Sequence, residues 1–129
     1  MNLNQVTIPS LDVEKSVEFY KKLGLKLIVK SFPKYARFES PDGDATFSIH
    51  KVEDLPKGTG ISVYFEDDNL DALVKNLQNK GVEFIELPED KPWLWREAHL
   101  LDPDGNHIIL FHAGINRKNP PWRINDDNK

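Results

Sequence analysis

Along this chain a strand-like alternation of apolar and polar residues gives way to a helix-like stripe, and the succession then repeats. Residues 3–9, "LNQVTIP", alternate as a strand that Pro9 is expected to end. "SLDVEKSVEFYKKLG" (10–24) follows as a helix. Ser10 or Asp12 caps it, Glu14 sits in its first turn, Lys21 and Lys22 in its last, and Gly24 just beyond. Val13, Val17 and Tyr20, with Phe19 and Leu23 beside them, form an apolar stripe that needs a sheet to cover. Strands are expected at 25–31, 34–40 and 45–52, the last two joined by the turn Pro41-Asp42-Gly43-Asp44.

The connector "EDLPKGTG" (53–60) resets the pattern. "ISVYFE" (61–66) reads as a strand, and "DNLDALVKNLQNKG" (68–81) as a helix capped by Asp68 or Asn69 and ended by Gly81. Its stripe is Leu70, Leu73, Val74 and Leu77. Three more strands are expected at 82–87, 94–101 and 107–112. The repeat can be counted. Asp12 to Gly24 and Asn69 to Gly81 both span twelve positions, and Gln5 and Ser62 each lie seven before the capping residue. Each half carries a Pro-Asp-Gly turn, at 41–43 and 103–105. The second half is five residues longer there (81 to 103 against 24 to 41), and the excess falls near "EDKPWLW".

The expected fold is α+β: tandem βαβββ modules, 3–52 and 61–112, in one domain over 1–112, then an irregular tail at 113–129, disordered beyond Ile124.

Composition narrows the function. The chain has 129 residues and a net charge of −4 without a basic cluster, so nucleic acid is not an expected partner. It has no cysteine, which removes disulfides, thiolate nucleophiles and Cys-based zinc sites. No apolar run reaches the length of a membrane span, and "MNLNQVTIPS" has no signal-peptide pattern, so a cytoplasmic protein is expected.

The pair of modules, with "LDVEKSVEFYKKLGL" and "LLDPDGNHIIL" as their most specific stretches, resembles the vicinal oxygen chelate superfamily of glyoxalases, extradiol dioxygenases and bleomycin-resistance proteins. The resemblance covers about 3–112. It implies a curved mixed sheet around a cavity, helices outside, a homodimer, and in metal-dependent members four inward ligands of His, Gln or Glu type. Carried over, those four positions are Gln5, Ser48 (or Phe47 if the turn is one shorter), Ser62 and Ile109. Only Gln5 suits a divalent metal, so no cofactor is expected.

Against that cavity, Tyr64 shares a face with Ser62, and Phe111 shares one with Ile109. Trp93, Trp95 and Arg96 lie in the five-residue excursion; they form either an aromatic wall with Arg96 for an acid group, or a dimer contact or loop anchor. Of Tyr35/Arg37 and Ala36/Phe38, one pair faces the cavity, and alternation does not say which. Two functions remain. The first is a small-molecule binding protein that sequesters or senses an organic ligand, lined by Gln5, Ser48, Ser62, Tyr64, Trp93, Trp95, Arg96, Ile109 and Phe111. The second is a metal-dependent lyase or dioxygenase with displaced ligands Gln5, Glu97 and His99, with His107 on the same face. The ligand count favours the first.

Overall fold

The computed structural model describes residues 1–124. Its elements are β1 (Gln5–Ser10), α1 (Val13–Leu23), β2 (Lys26–Ser31), β3 (Tyr35–Glu39), β4 (Thr46–Lys51), β5 (Ser62–Glu66), α2 (Leu70–Asn79), β6 (Glu86–Asp90), β7 (Arg96–Leu101) and β8 (His107–His112), then a short 3-10 turn at Gly114–Asn116. The strands form two four-stranded sheets, ordered β1-β4-β3-β2 and β5-β8-β7-β6. Adding four to each label of the first gives the second, so the repeat in the sequence is a repeat of topology. The fold is α+β with two βαβββ modules, as expected, and each module forms a four-stranded mixed sheet that is not closed.

The chain forms two compact units, residues 1–62 with 101–107, and residues 63–100 with the chain from 108 onward. In the first unit, β1 runs parallel to β4, and β3 runs antiparallel to both β4 and β2. Strand β1 continues through Pro9 to Ser10 instead of stopping at the proline. It can, because β1 is an edge strand and Pro9 lacks only a ladder donor that an edge can spare. Asp12 is the N-cap of α1, accepting from Lys15 N at 3.2 Å, and Gly24 closes the helix at φ 106°. Ser10, the other cap candidate, instead accepts from Asp12 N and shares a hydrogen bond with Ser16.

The α1 stripe covers one sheet face, burying Val13, Val17 and Tyr20 with Ile8, Ala36, Phe38, Phe47 and Ile49. Tyr20 packs against Phe47 and Phe38 with ring centroids 4.8 and 6.0 Å apart. The Asp-Pro-Asp-Gly-Asn turn, 102–106, belongs to this unit too. Asp102 accepts from Tyr20, and Asp104 accepts from the Ser16 hydroxyl and Leu11 N.

In the second unit, Leu70, Val74 and Leu77 of α2 are buried, as are Ala98, Leu100, Ile108 and Leu110. Asn69 occupies the N-cap of α2 without a side-chain capping bond; Asp67 accepts from Asn69 N at 2.9 Å instead. The strand expected at 82–87 forms four residues later, at Glu86–Asp90. Val82 is used to close α2, its N–H bonding to Leu77 O, and the buried side chain explains the apolar pattern there. Pro88 sits inside β6, which as an edge strand tolerates it, at an interruption of register between Glu86 and Glu89.

Candidate functional site

Strand alternation leaves each sheet with one face away from its helix, and the candidate residues divide between these two faces. On the first sheet, Gln5, Thr7, Tyr35, Arg37 and Ser48 share the face opposite α1, while Ala36, Phe38 and Phe47 point into the core. This resolves both open pairs: Ser48, not Phe47, is the partner of Gln5. Gln5 Nε2 donates to Ser48 Oγ at 3.1 Å, and Gln5 Oε1 accepts from Thr46 Oγ1 at 2.6 Å. Both ends of the amide are therefore committed within the sheet. Thr7 and Ser48 share a 2.7 Å hydrogen bond, and Arg37 Nε donates to the Tyr35 hydroxyl at 2.8 Å. Burial pushes the Tyr35 phenol up, but hydrogen bonds with Ser48, Arg37 and Gln5 and the Arg37 charge outweigh it and bring the phenol below its usual range. Ser62, at the start of β5, bonds His107 Nδ1 at 3.3 Å.

On the second sheet the face opposite α2 is aromatic. Trp95 stacks on Phe111 with centroids 4.6 Å apart and planes 18° from parallel. Tyr64 stands edge-on to both rings, 5.9 Å from Trp95 and 5.6 Å from Phe111. Ile109, Phe111 and Ala113 are buried beneath, with Trp95 packed on them half-buried, while Tyr64 remains 48% exposed. Trp95 Nε1 is satisfied by Asn116 O at 3.3 Å, from the tail. Glu66 fixes that tail by accepting from Ala113 N and Gly114 N at 2.8 and 2.9 Å. Nothing in the sequence pattern marked Glu66 for this.

Next to the aromatic group lies a buried carboxylate. Glu97 is only 3% exposed and accepts from Trp93 Nε1 at 2.7 Å and His99 Nε2 at 2.8 Å. Trp93 is thus a half-exposed ring whose indole N–H is held by a buried acid. The excursion around it turns sharply. Lys91 and Trp95 are joined by Lys91 N to Trp95 O, and Leu94 adopts φ 67°, a left-handed conformation rare for a leucine.

Arg96 lies elsewhere. It leaves β7 on the side of α2, where it pairs with Asp71 at 2.8 Å and Asp90 at 3.0 Å. The expectation that it waits beside Trp95 for a ligand's acid group does not fit this position, because adjacent strand residues face opposite ways. Its bond to Asp71 holds that carboxyl below the usual carboxylate range. His112 lies 3.9 Å from both Glu66 and Asp68, and His50 is exposed beside Tyr35 in the sheet register.

The four positions to which the resemblance assigns metal ligands do not make a donor set here. Gln5 is bonded at both ends, Ser48 is buried under it, Ser62 is neutral, and Ile109 offers an alkyl group amid aromatic neighbours. Among the described residues no group of three or more His, Asp or Glu side chains is arranged to hold a metal ion. These residues do not fit a divalent cation, which wants anionic or imidazole donors in number.

Residues 2–110 match the Glyoxalase/Bleomycin resistance protein/Dioxygenase superfamily, and the chain belongs to that family. It is 30% identical over 127 residues to the uncharacterized protein YraH of Bacillus subtilis, covering 86% of this chain and 98% of that one. A glyoxalase/bleomycin resistance protein/dioxygenase from Nocardioides superposes with a TM-score of 0.77 at 26% identity, covering 97% of this chain and 90% of that one. A bleomycin-binding protein in complex with bleomycin superposes at 0.70 with 20% identity, covering 87% and 98%, a likeness of fold.

Proposed function

We propose that this chain is a small-molecule binding protein that sequesters or senses an organic ligand, without a resident metal. The ligand's flat part lies on the aromatic face of the second sheet. The observation that carries the reading is the trio Tyr64, Trp95 and Phe111. Half-buried Trp95, stacked on the buried Phe111, and half-exposed Tyr64, edge-on to both, present a rigid apolar surface with little side-chain entropy left to lose on binding. A fold shared with a bleomycin-binding protein supports the same class of function.

A metal-dependent lyase or dioxygenase with displaced ligands lacks a specific contact in its favour. Its three donors are already occupied, Gln5 by Thr46 and Ser48, and Glu97 by Trp93 and His99. The proposal includes a cytoplasmic homodimer. The second copy rests on the family resemblance, and no helix among the described residues is long and apolar enough to cross a membrane. Sedimentation analysis tests the dimer directly.

Calorimetric titration with metal-free bleomycin and with ethidium, a planar aromatic cation, tests the binding claim. Saturable binding of at least one probe is expected, with Trp95→Ala weakening it on the order of thirtyfold, the loss typical of a central aromatic contact. Absence of binding to both, or a Trp95→Ala protein that binds as well as the parent, contradicts it.

A further inference from the structure

The sequence has four arginines, and three of them have anionic or carbonyl partners. Arg96 pairs with Asp71 and Asp90, Arg117 with Glu66, and Arg123 with Lys118 O and Asn119. Arg37 differs. Its Nε donates to the neutral Tyr35 hydroxyl, its guanidinium lies 5.4 Å from the centre of that ring, and among the described residues no carboxylate pairs with it. Glu39, the acid on the same strand face, is instead paired with Lys26 at 3.7 Å. Among the described residues, this half-buried guanidinium thus has no counter-ion.

The neighbours of Arg37 are hydrogen-bonding groups rather than charges. Across the sheet, Arg37 is paired in register with Ser48, and Ser48 with Thr7, so the three form one row over β3, β4 and β1. Gln5 and Tyr35 flank the row, Gln5 by its bond to Ser48 and Tyr35 by its bond to Arg37. A row of hydroxyl and amide groups ending in a guanidinium whose terminal amino groups have no carboxylate partner among the described residues matches the needs of a carboxylate or phosphate, whose oxygens accept several charge-assisted hydrogen bonds at once.

We propose that the Thr7–Ser48–Arg37 row is an oxyanion-binding site, in which Arg37 supplies the charge, the Thr7 and Tyr35 hydroxyls supply further donors, and the buried Ser48 holds Thr7 and Gln5 in place. The proposal stands independently of the aromatic surface on the second sheet. The behaviour of Tyr35 agrees with it: an environment that lowers a phenol despite burial is one that favours negative charge. Arg37 is a binding residue for an anionic group, and Tyr35 a positioning residue that orients its Nε edge.

The test is nitrogen-edited NMR of the arginine Nε–H groups in the full chain, titrated with sodium phosphate, with sodium benzoate, and with sodium chloride at matched ionic strength. The Arg37 signal is expected to move saturably with phosphate or benzoate and not with chloride, while Arg96 and Arg117 stay fixed. A response to phosphate alone assigns a phosphate-type group, and a response to benzoate alone a carboxylate. Arg37→Gln is expected to weaken probe binding by about tenfold or more, the loss of a hydrogen-bonded charge. The proposal is overturned if neither probe moves Arg37, if chloride moves it equally, or if Arg37→Gln binds the probe as tightly as the parent.

Discussion

The Tyr20 hydroxyl donates to Asp102 Oδ2 at 2.5 Å, joining α1 to a turn 82 residues further along the chain. Asp102 uses all of its accepting capacity: Oδ1 takes Asp104 N and Asn106 N, and Oδ2 takes Tyr20 and Asn106 Nδ2. Asn106 in turn donates to Pro9 O at 3.1 Å. The two stretches most specific to the family resemblance, the α1 helix and the Asp-Pro-Asp-Gly-Asn turn, are therefore in direct contact, and their shared role is structural.

That contact predicts an alkaline weakness. Burial raises the Tyr20 phenol far above the usual tyrosine range, and the Asp102 charge and hydrogen bond raise it further. Below about pH 10 both folded and unfolded chains keep the proton, and the contribution is whole. Above it the unfolded chain releases the proton while the folded chain holds it, so stability falls by about 1.4 kcal/mol per pH unit. Urea titrations from neutral to alkaline pH are expected to show this slope in the parent. In Tyr20→Phe the slope is expected to be shallower, with a loss of about 1.5–3 kcal/mol at neutral pH. Equal slopes in the two proteins count against the contact.

Arg96→Gln separates the two faces of the second sheet. Arg96 serves α2 through Asp71, so the variant is expected to leave bleomycin and ethidium titrations unchanged. Its effect lies in stability near neutral pH, and it fades as the pH falls. The bond lowers the Asp71 carboxyl, so its contribution is present above the ordinary carboxylate range and lost as pH falls through the lowered value. Acid unfolding of Arg96→Gln should lack that component. A changed ligand affinity sinks the assignment.

Leu94 is held at φ 67° in the loop between Trp93 and Trp95 and is about half exposed. The left-handed conformation costs a leucine roughly 1–2 kcal/mol, and glycine gives back about 0.5–1 through its greater freedom when unfolded. Leu94→Gly is therefore expected to raise stability by a few tenths to about 1 kcal/mol in urea unfolding. Clear destabilisation would mean that the leucine side chain, rather than the turn, holds this loop.

Dialysis against Zn, Ni, Mn or Fe salts, followed by elemental analysis of untagged protein, is expected to leave much less than one metal per chain. Tight stoichiometric binding of any of these ions contradicts the reading of Gln5, Ser48, Ser62 and Ile109 as a non-metal set.

Much of the fold was legible in the sequence because its two periods are local. The α1 stripe, the Asp12 cap and the β8 strand need only neighbouring residues to be read. Strand β6 was misplaced because Val82 is apolar for the sake of α2, while Pro88 disguises an edge strand. Site residues were harder to read. Trp95 and Arg96 are adjacent, and grouping them ignored that strand neighbours face opposite ways. The Gln5–Ser48 and Gln5–Thr46 bonds depend on the parallel register of β1 and β4, strands more than forty residues apart, and no local pattern encodes it.

The most direct test of the binding account follows the indole N–H resonance of Trp95 by NMR while metal-free bleomycin and ethidium are titrated in turn, with Trp122 as the internal control. The account predicts that at least one compound shifts Trp95 saturably at one per chain, and that Trp122 does not follow. A Trp95 signal that stays fixed with both compounds, or one that moves only together with Trp122, contradicts it.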